Sequence, residues 1–588
     1  MPTLASIEDL AHVSDRPGDE PALCSDNIQG NGLAGFNKDH QTLIFIRIDE
    51  PEAFKKWLAA QIPFVATVAE VLAFNRLFKS VRFRRKHETR TVQATWTNIA
   101  FTHAALAKLL AQPDLGFHDA AFKAGLADRS AGIGDAQDAG AEGTAANWLF
   151  GTRSDEPVAV VIVAGDDVAA TADEVRRIED SLFSSHPHAA GEPFRAGATV
   201  VFKQHGATLP PPLTGHEHFG WLDGVSQPGV RGTVSDATIT GPGGAVHLDL
   251  LTLRQNPHDK AQGKPGQDAL YPGEFVFGHP KQAGTGDIAA PGPIAQAGPD
   301  WSDDGSFLVI RRLRQDVRGF HEWLKQYADD LRVEPELLGS LLVGRWPSGS
   351  PLMFEPSADH PEIGRSDDQN NWFEFHGQPP HDPTKPTDPS QSKVIGVTPP
   401  LGDPTGLRCP VGAHIRKAYP RDDQPAGGAG DPQEVTTQTH RLLRRGIPFG
   451  PAFDPTATDD DGNRGLVFAA YMTSIENQFE FVTKTWLNNV NFKDPGVGLD
   501  PIIGLGAPGT NPGLQVRINF PDGKHVDEHL DVPASFVTPT GGGYFFAPSI
   551  RAMQTWCGLP LEDRCRVVHQ PQGGVTQPQN PIYRAPGQ

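Results

Sequence analysis

The sequence predicts an α+β fold made of duplicated ferredoxin-like domains with antiparallel sheets. Three observations carry that expectation. The run Thr42-Leu-Ile-Phe-Ile-Arg-Ile-Asp49 leads into Phe54-Lys-Lys-Trp-Leu58. The run Phe307-Leu-Val-Ile-Arg-Arg-Leu-Arg314 leads into Phe320-His-Glu-Trp-Leu324, so a strand-like stretch followed by a helical Phe-x-x-Trp-Leu occurs twice. Further downstream, each copy is followed by another strand–helix pair and a further strand. The alternative is a coincidence between two ordinary strand–helix units.

Residues 1–27 read as an N-terminal arm and 28–240 as the first unit. Within that unit, Asn98-Ile-Ala-Phe-Thr102 predicts a strand ahead of an Ala- and Leu-rich helix at 103–111, and Val158-Ala-Val-Val-Ile-Val-Ala164 predicts another strand. The Ala-, Gly- and Asp-rich stretch from Gly125 to Asn147 reads as a surface loop. Residues 241–569 read as the second unit. In its first helix Phe320, Trp323, Leu324, Tyr327 and Leu331 repeat at the spacing of one buried face. Leu466-Val-Phe-Ala-Ala-Tyr471 predicts a strand before a helix from about 474, with Thr473-x-x-Glu476 as a capping box. Ile475, Phe479, Val482 and Trp486 give that helix its inward face, and Tyr544-Phe-Phe-Ala547 is the last strand. The proline-rich stretch 379–390 is an excursion, and residues 570–588 form a polar tail.

Composition narrows the function classes. A hydrophobic content of 38%, with 32 Phe and 10 Trp, is enough for a large core. The net charge of −20 repels phosphate backbones, so no nucleic-acid partner is expected. No apolar run approaches the roughly 18 residues of a membrane span. The stretch from Met1 to Asp19 lacks the basic start and apolar centre of a signal peptide, so a cytoplasmic location without a membrane partner is expected. The cysteines at 24, 409, 557 and 565 are too scattered for a disulfide framework. Oligomeric state stays open, a homo-oligomer included.

Three motifs carry chemistry. Glu217-His-Phe-Gly-Trp-Leu-Asp-Gly-Val-Ser-Gln-Pro228 sets Asp223 in a Gly-x-x-Asp-Gly pattern. Taken alone, Asp-Gly is a common turn signal. Cys409-Pro-Val-Gly-Ala-His-Ile-Arg-Lys-Ala-Tyr-Pro-Arg421 sets His414 in a tight loop, with Ala413 leaving room for a flat ligand and Arg416, Lys417 and Arg421 available to pair with acidic groups. Arg441-Leu-Leu-Arg-Arg-Gly-Ile-Pro-Phe-Gly450 supplies a guanidinium, although by itself it reads as a solvated charged turn.

Together, in this order, the three motifs resemble the dye-decolourising peroxidase family. Ile28-Gln-Gly-Asn-Gly32, Pro272-Gly-Glu-Phe-Val-Phe-Gly278 and Gly541-Gly-Gly-Tyr-Phe-Phe-Ala-Pro-Ser549 extend the resemblance over most of the chain. The long insertions suggest a larger, bacterial-type subgroup. The resemblance implies haem b, one per chain and bound in the C-terminal half. Without a Cys-x-x-Cys-His motif, attachment is expected to be non-covalent. It implies His414 as the iron ligand, Asp223 as the distal acid–base group and Arg444, rather than Arg445, as the distal arginine. Arg416 is expected to meet the haem propionates.

Leu466 and Phe468 match a pair lining the distal side, or are ordinary strand core. Asp500 is the first candidate to hold the other nitrogen of His414, with Glu480 behind it. Arg345 lies in a family-like loop without an assigned role. The motif reads Trp221-Leu222 where the family often has Phe-Arg. The implied partners are hydrogen peroxide and small aromatic electron donors such as dyes and phenolics. Two rival readings are a haem-binding or iron-releasing protein with incidental peroxidase activity, and a binding protein that keeps only the scaffold.

Overall fold

The computed structural model describes residues 20–84, 92–183, 196–240, 246–254, 261–285, 288–377, 400–423, 434–457, 462–506, 511–533 and 535–561. Residues 1–19, the proline-rich stretch 379–390, Cys565 and the tail from 570 lie outside them.

The first unit contains β1 (His40–Ile48), α1 (Pro51–Gln61), β2 (Thr95–Phe101), β3 (Val158–Gly165), α2 (Val168–Leu182) and β4 (Ala198–Ala207). Its strands pair antiparallel in the order β4-β1-β3-β2. The second unit repeats the plan with β5 (Ser306–Gln315), α3 (Val317–Leu331), α4 (Pro335–Val343), α5 (His414–Ala418), β6 (Leu443–Arg444), β7 (Ile447–Phe449), β8 (Gly465–Met472) and β9 (Val537–Ala547). Here β9 flanks β5, β5 flanks β8, and the short β6 and β7 pair with β8, all antiparallel.

The units fuse into one sheet where β9 meets β2, Phe546 opposite Phe101. At the other end β4 lies against β7. Gly206 comes so near that a Cβ there would stand 2.6 Å from the Ile447 side chain, so only glycine permits the approach. The sheet therefore curls back on itself as a barrel.

Both faces of the sheet are buried. On the helix-covered face Ile44, Ile46 and Ile48 of β1 pack with Phe54, Trp57 and Leu58 of α1. On the other face Leu43 and Phe45 pack with Leu308, Ile310 and Phe545. That two-sided burial is why β1 and the start of β5 read as continuous apolar runs and not as alternating ones. Leu23, Ile28, Leu33 and Phe36 fill the second face, so residues 20–27, grouped with the arm from the sequence, are folded in. A third core joins α3 and α4 to Trp221, Phe373, Phe375, Cys409 and Ala413, and seats the loop before His414.

Two local expectations need correction. The helix after β8 is π-helical over Ile475–Glu480 and Val482–Leu487, and its N-cap is Ser474, whose Oγ accepts from Asn477 N at 3.1 Å. Thr473 does not cap it, because its hydroxyl donates to Gly273 O at 2.6 Å. The stretch 125–147 is not only a surface loop, because Ile133 packs in the main core and Asp135 is buried in an ion pair with Arg311. Among the described residues, no helix is long and apolar enough to cross a membrane.

Candidate active site

A cavity of about 600 Å³ opens beside the second half of the barrel. Leu466 and Phe468 of β8 form one wall, and Phe479, Val482, Trp486 and Leu487 of the π-helix form another. The wider π turn sets this apolar wall, a helix type often found at functional sites. Ile415 of α5 and Ile502 and Ile503 add apolar surface, while Asp223, Arg444, Arg441 and Arg311 bring charge. Most of the lining belongs to residues 241–569, but Asp223 arrives from the preceding stretch.

His414 opens the short helix α5 and reaches the cavity. Its Nδ1 meets Asp500 Oδ2 at 2.8 Å, and its Nε2 faces Asp223 Oδ2 at 3.5 Å. Burial disfavours the charged imidazole, but the charges of Asp500 and Asp223 outweigh it and push His414 up to about 10. Asp500 has no exposed side-chain surface, and its other oxygen accepts the backbone N–H groups of Ile502 and Ile503, each at 2.9 Å. Burial works against its ionisation, yet His414 and these two donors hold Asp500 below the usual carboxylate range.

Asp223 stands in a turn between Leu222 and Gly224. Burial works against its charge, but the bond and charge of His414, then Arg444 and Arg345, hold it below the ordinary aspartate value. Arg444 is positioned by β6 pairing with Ala470 of β8, and its guanidinium donates to Ser226 O at 2.7 Å. Gln227 fastens the Arg444 backbone on both sides, accepting from its N–H at 3.3 Å and donating to its carbonyl at 3.4 Å. Burial pulls Arg444 below the ordinary guanidinium value, against the charge of Asp223.

Arg445, the neighbouring arginine, spends its donors on the carbonyls of Asn31, Leu33 and Arg444, at 2.9 Å each. The basic cluster after His414 does not face the cavity. Arg416, expected at the propionates, is buried against Asp423 at 2.6 Å and donates to the carbonyls of Cys409 and Asp403. Lys417 donates to the carbonyls of Asn489, Phe492 and Gly498, and Arg421 binds Phe373 O and Asn371. Glu480 is engaged by Arg129, Lys484 and the Tyr544 hydroxyl, away from His414. Arg345 is buried against Gly349 O and Asn370 O, with its charge acting on Asp223. Trp221 turns into the third core, where its indole N–H meets Ser340 Oγ at 3.2 Å.

Sequence reasoning missed Glu217, Asp135, Arg311, Gln315 and Arg441, all of which line the cavity. One signal was available for Arg311: a guanidinium inside an otherwise apolar strand needs a buried partner, here Asp135 at 2.7 Å.

The residues present fit a haem. The donor is a single imidazole whose far nitrogen is held by a carboxylate, the usual arrangement behind a ligating histidine. The cavity is walled by Leu, Ile, Phe, Val and Trp, with guanidinium groups at hand for acidic substituents. At 3.5 Å from Nε2, the Asp223 carboxylate must draw back before a metal stands on that nitrogen. The half-exposed turn that carries it leaves room for this.

The chain is similar to known proteins over most of its length. Residues 27–190 match the family described as the DyP dimeric alpha+beta barrel domain. A dye-decolorizing peroxidase of Mycena epipterygia is 31% identical over 571 residues, covering 94% of this chain and 88% of that protein. A multifunctional dye peroxidase of Amycolatopsis is 30% identical over 418 residues, 68% of this chain and 71% of that protein. Among solved structures, an ancestral D-type dye decolorizing peroxidase is 31% identical with a TM-score of 0.64, covering 91% of this chain and 99% of that one. A fungal peroxidase of this type from Auricularia auricula-judae is 26% identical with a TM-score of 0.62, at the same coverage. With nearly its whole length matched and a barrel of the expected kind, this chain belongs to the dye-decolourising peroxidase family, for which a haem cofactor is implied.

Proposed function

We propose that the protein uses hydrogen peroxide to oxidise dyes, phenolics or similar small one-electron donors, with one non-covalently held haem b per chain. The observation that carries this reading is the convergence of His414, backed by Asp500, with Asp223 and Arg444 in one cavity. Bound haem would supply the iron for peroxide and the conjugated ring that stores oxidising equivalents.

The chain's own residues do the rest. His414 would hold the iron through Nε2, while Asp500 keeps the Nδ1 proton and fixes the ring. Asp223, ionised at neutral pH, takes the proton from one peroxide oxygen and returns it to the other, which leaves as water. Arg444, fixed by Ser226 O and Gln227, stabilises negative charge on the departing oxygen. Leu466, Phe468 and the π-helix keep that side apolar, which strengthens the Arg444 and Asp223 charges.

The reading is tested by loading the purified protein with haem, adding hydrogen peroxide and an anthraquinone dye, and following the dye's absorbance. Bleaching that depends on both additions is expected. Stable haem uptake without bleaching, accompanied by iron release, would establish the haem-binding alternative, which needs neither Asp223 nor Arg444.

A further inference from the structure

We propose that Glu217 is a positioning residue for Asp223, and that its carboxyl acts through reach and not through acidity. This rests on the reading of Asp223 as the distal acid–base group. Glu217 lines the same cavity as Asp223 and stands three residues before the Gly-x-x-Asp-Gly motif. Its Oε2 accepts the backbone N–H of Phe219 at 2.7 Å, and its Oε1 accepts that of Trp221 at 3.2 Å. Its Oε2 also accepts Gln315 Nε2 at 2.6 Å. Gln315 is the last residue of β5 and is buried. A single side chain thus ties the backbone leading to Asp223 to the rim of the barrel sheet.

The side chains of this stretch are held separately: Phe219 and Trp221 sit in the third core, and His218 Nε2 meets Phe449 O at 2.8 Å, so Glu217 is what fixes the two backbone N–H groups. Beyond Trp221, the Leu222 N–H reaches Pro347 O at 3.3 Å. After Asp223, Arg444 fastens Ser226 and Gln227, its guanidinium donating to Ser226 O and its N–H to Gln227 Oε1. Asp223 thus lies between the backbone fastened by Glu217 ahead and by Arg444 behind. Burial and the charge of Asp223 push Glu217 up to about 8, so at neutral pH it holds its proton and adds no second negative charge beside Asp223. Gln315 Oε1, buried and otherwise unpartnered, accepts that proton once the amide is turned over.

Two near-isosteres separate reach from acidity. Glu217→Gln keeps the length of the side chain and an acceptor oxygen for one of the two amides, and removes the acid. Glu217→Asp keeps the acid and shortens the side chain by one carbon, about 1.5 Å, so it cannot span Phe219, Trp221 and Gln315 together. Both variants and Asp223→Asn are loaded with haem and mixed with hydrogen peroxide in single-turnover stopped flow. Backbone amide exchange at Phe219 and Trp221 is measured alongside.

Glu217→Gln is expected to react within about threefold of the native rate, with exchange raised at no more than one of the two amides. Glu217→Asp is expected to react about 10- to 100-fold more slowly, the scale of a misplaced catalytic group. It should also show faster exchange at both amides and an unchanged ferric absorption spectrum. Glu217→Gln as slow as Glu217→Asp would overturn the proposal, since the reach of the side chain would then not decide the rate. So would a native rate in Glu217→Asp while Asp223→Asn is slow. A native rate in Asp223→Asn would instead remove the reading of Asp223 on which the proposal stands.

Discussion

Asp500 grips His414 through one oxygen at 2.8 Å, while its other oxygen is fixed by the N–H groups of Ile502 and Ile503. The imidazole's orientation is therefore set by a carboxylate that cannot rotate. Asp500→Asn keeps the shape but removes the charge, and its amide can turn an N–H toward Nδ1. We expect haem affinity to fall about 10- to 100-fold, read by titrating the protein with haem and following its absorbance. His414→Ala should abolish stable haem binding in the same titration. An unchanged affinity in both variants would mean that another residue holds the iron.

Asp223 sets the acid side of the reaction. A carboxylate acts as a base only when ionised, so activity is present above its pKa and is lost as pH falls through it. Burial disfavours the Asp223 charge and Arg444 and Arg345 favour it, so the acid-side fall in activity should follow the Asp223 titration. In Asp223→Asn that fall should vanish. The peroxide reaction should be slow near neutrality and partly recover at high pH, where more peroxide is already deprotonated. Stopped-flow rates across pH for both proteins check this. A fall at the same pH in the variant assigns it to another group.

Much of the fold was legible because its signals are local. The two Phe-x-x-Trp-Leu helices each follow a largely buried strand, α1 after β1 and α3 after β5. Asp223, His414 and Arg444 came forward through the resemblance of the three motifs to the family, since Asp-Gly and Arg-Arg-Gly read alone as ordinary turns. Side-chain direction was less legible. Arg416 follows His414 by two positions on α5, and such neighbours do not share a helix face, so one meets the cavity while the other meets Asp423. Glu217, Gln315 and Asp135 were missed because their roles depend on contacts between distant elements. The cap at Ser474 was missed because Thr473 is drawn to Gly273 by tertiary packing.

Glu274 should make stability depend on pH. It is 2% exposed, and burial pushes it up to about 7, against opposing contributions from Lys281 and the Gln282 N–H at 2.9 Å. A raised folded pKa stabilises the folded protein fully below the unfolded value of 4.5. That contribution is lost as pH rises from there through about 7. The loss amounts to about 3 kcal/mol. Glu274→Gln keeps the acceptor and cannot ionise. The difference in unfolding free energy between variant and native protein should therefore grow in the variant's favour from pH 4.5 to 7.5, by urea denaturation. A flat difference would show that Glu274 ionises freely.

Gly339 makes room for Trp221. A Cβ at this position on α4 would stand 2.1 Å from the Trp221 ring, and the indole is itself wedged against Phe320. Gly339→Ala should destabilise the protein by about 1–3 kcal/mol, as overpacking does, despite alanine's better helix propensity. Because Trp221 precedes Asp223 by two residues, the variant should also slow the peroxide reaction. Thermal unfolding and stopped flow read the two effects. A variant with native stability would mean that the indole repacks without strain.

The adjacent arginines should fail in different ways. Arg444 lines the cavity, acts on Asp223 and donates to Ser226 O. Arg445 donates to three backbone carbonyls, at Asn31, Leu33 and Arg444, and so stitches the segment before β1 to β6. Arg444→Leu removes the charge that stabilises the leaving oxygen, and the peroxide reaction should slow about 100-fold or more with a modest change in melting temperature. Arg445→Leu leaves three carbonyls without their charged donor and should cost about 3 kcal/mol or more of stability. Its folded fraction should still react with peroxide within about tenfold of the native rate, because the group facing Asp223 is intact. Stopped flow and thermal unfolding on both variants separate the two roles. The reverse pattern, a slow and stable Arg445→Leu beside a fast Arg444→Leu, would move the distal guanidinium to Arg445.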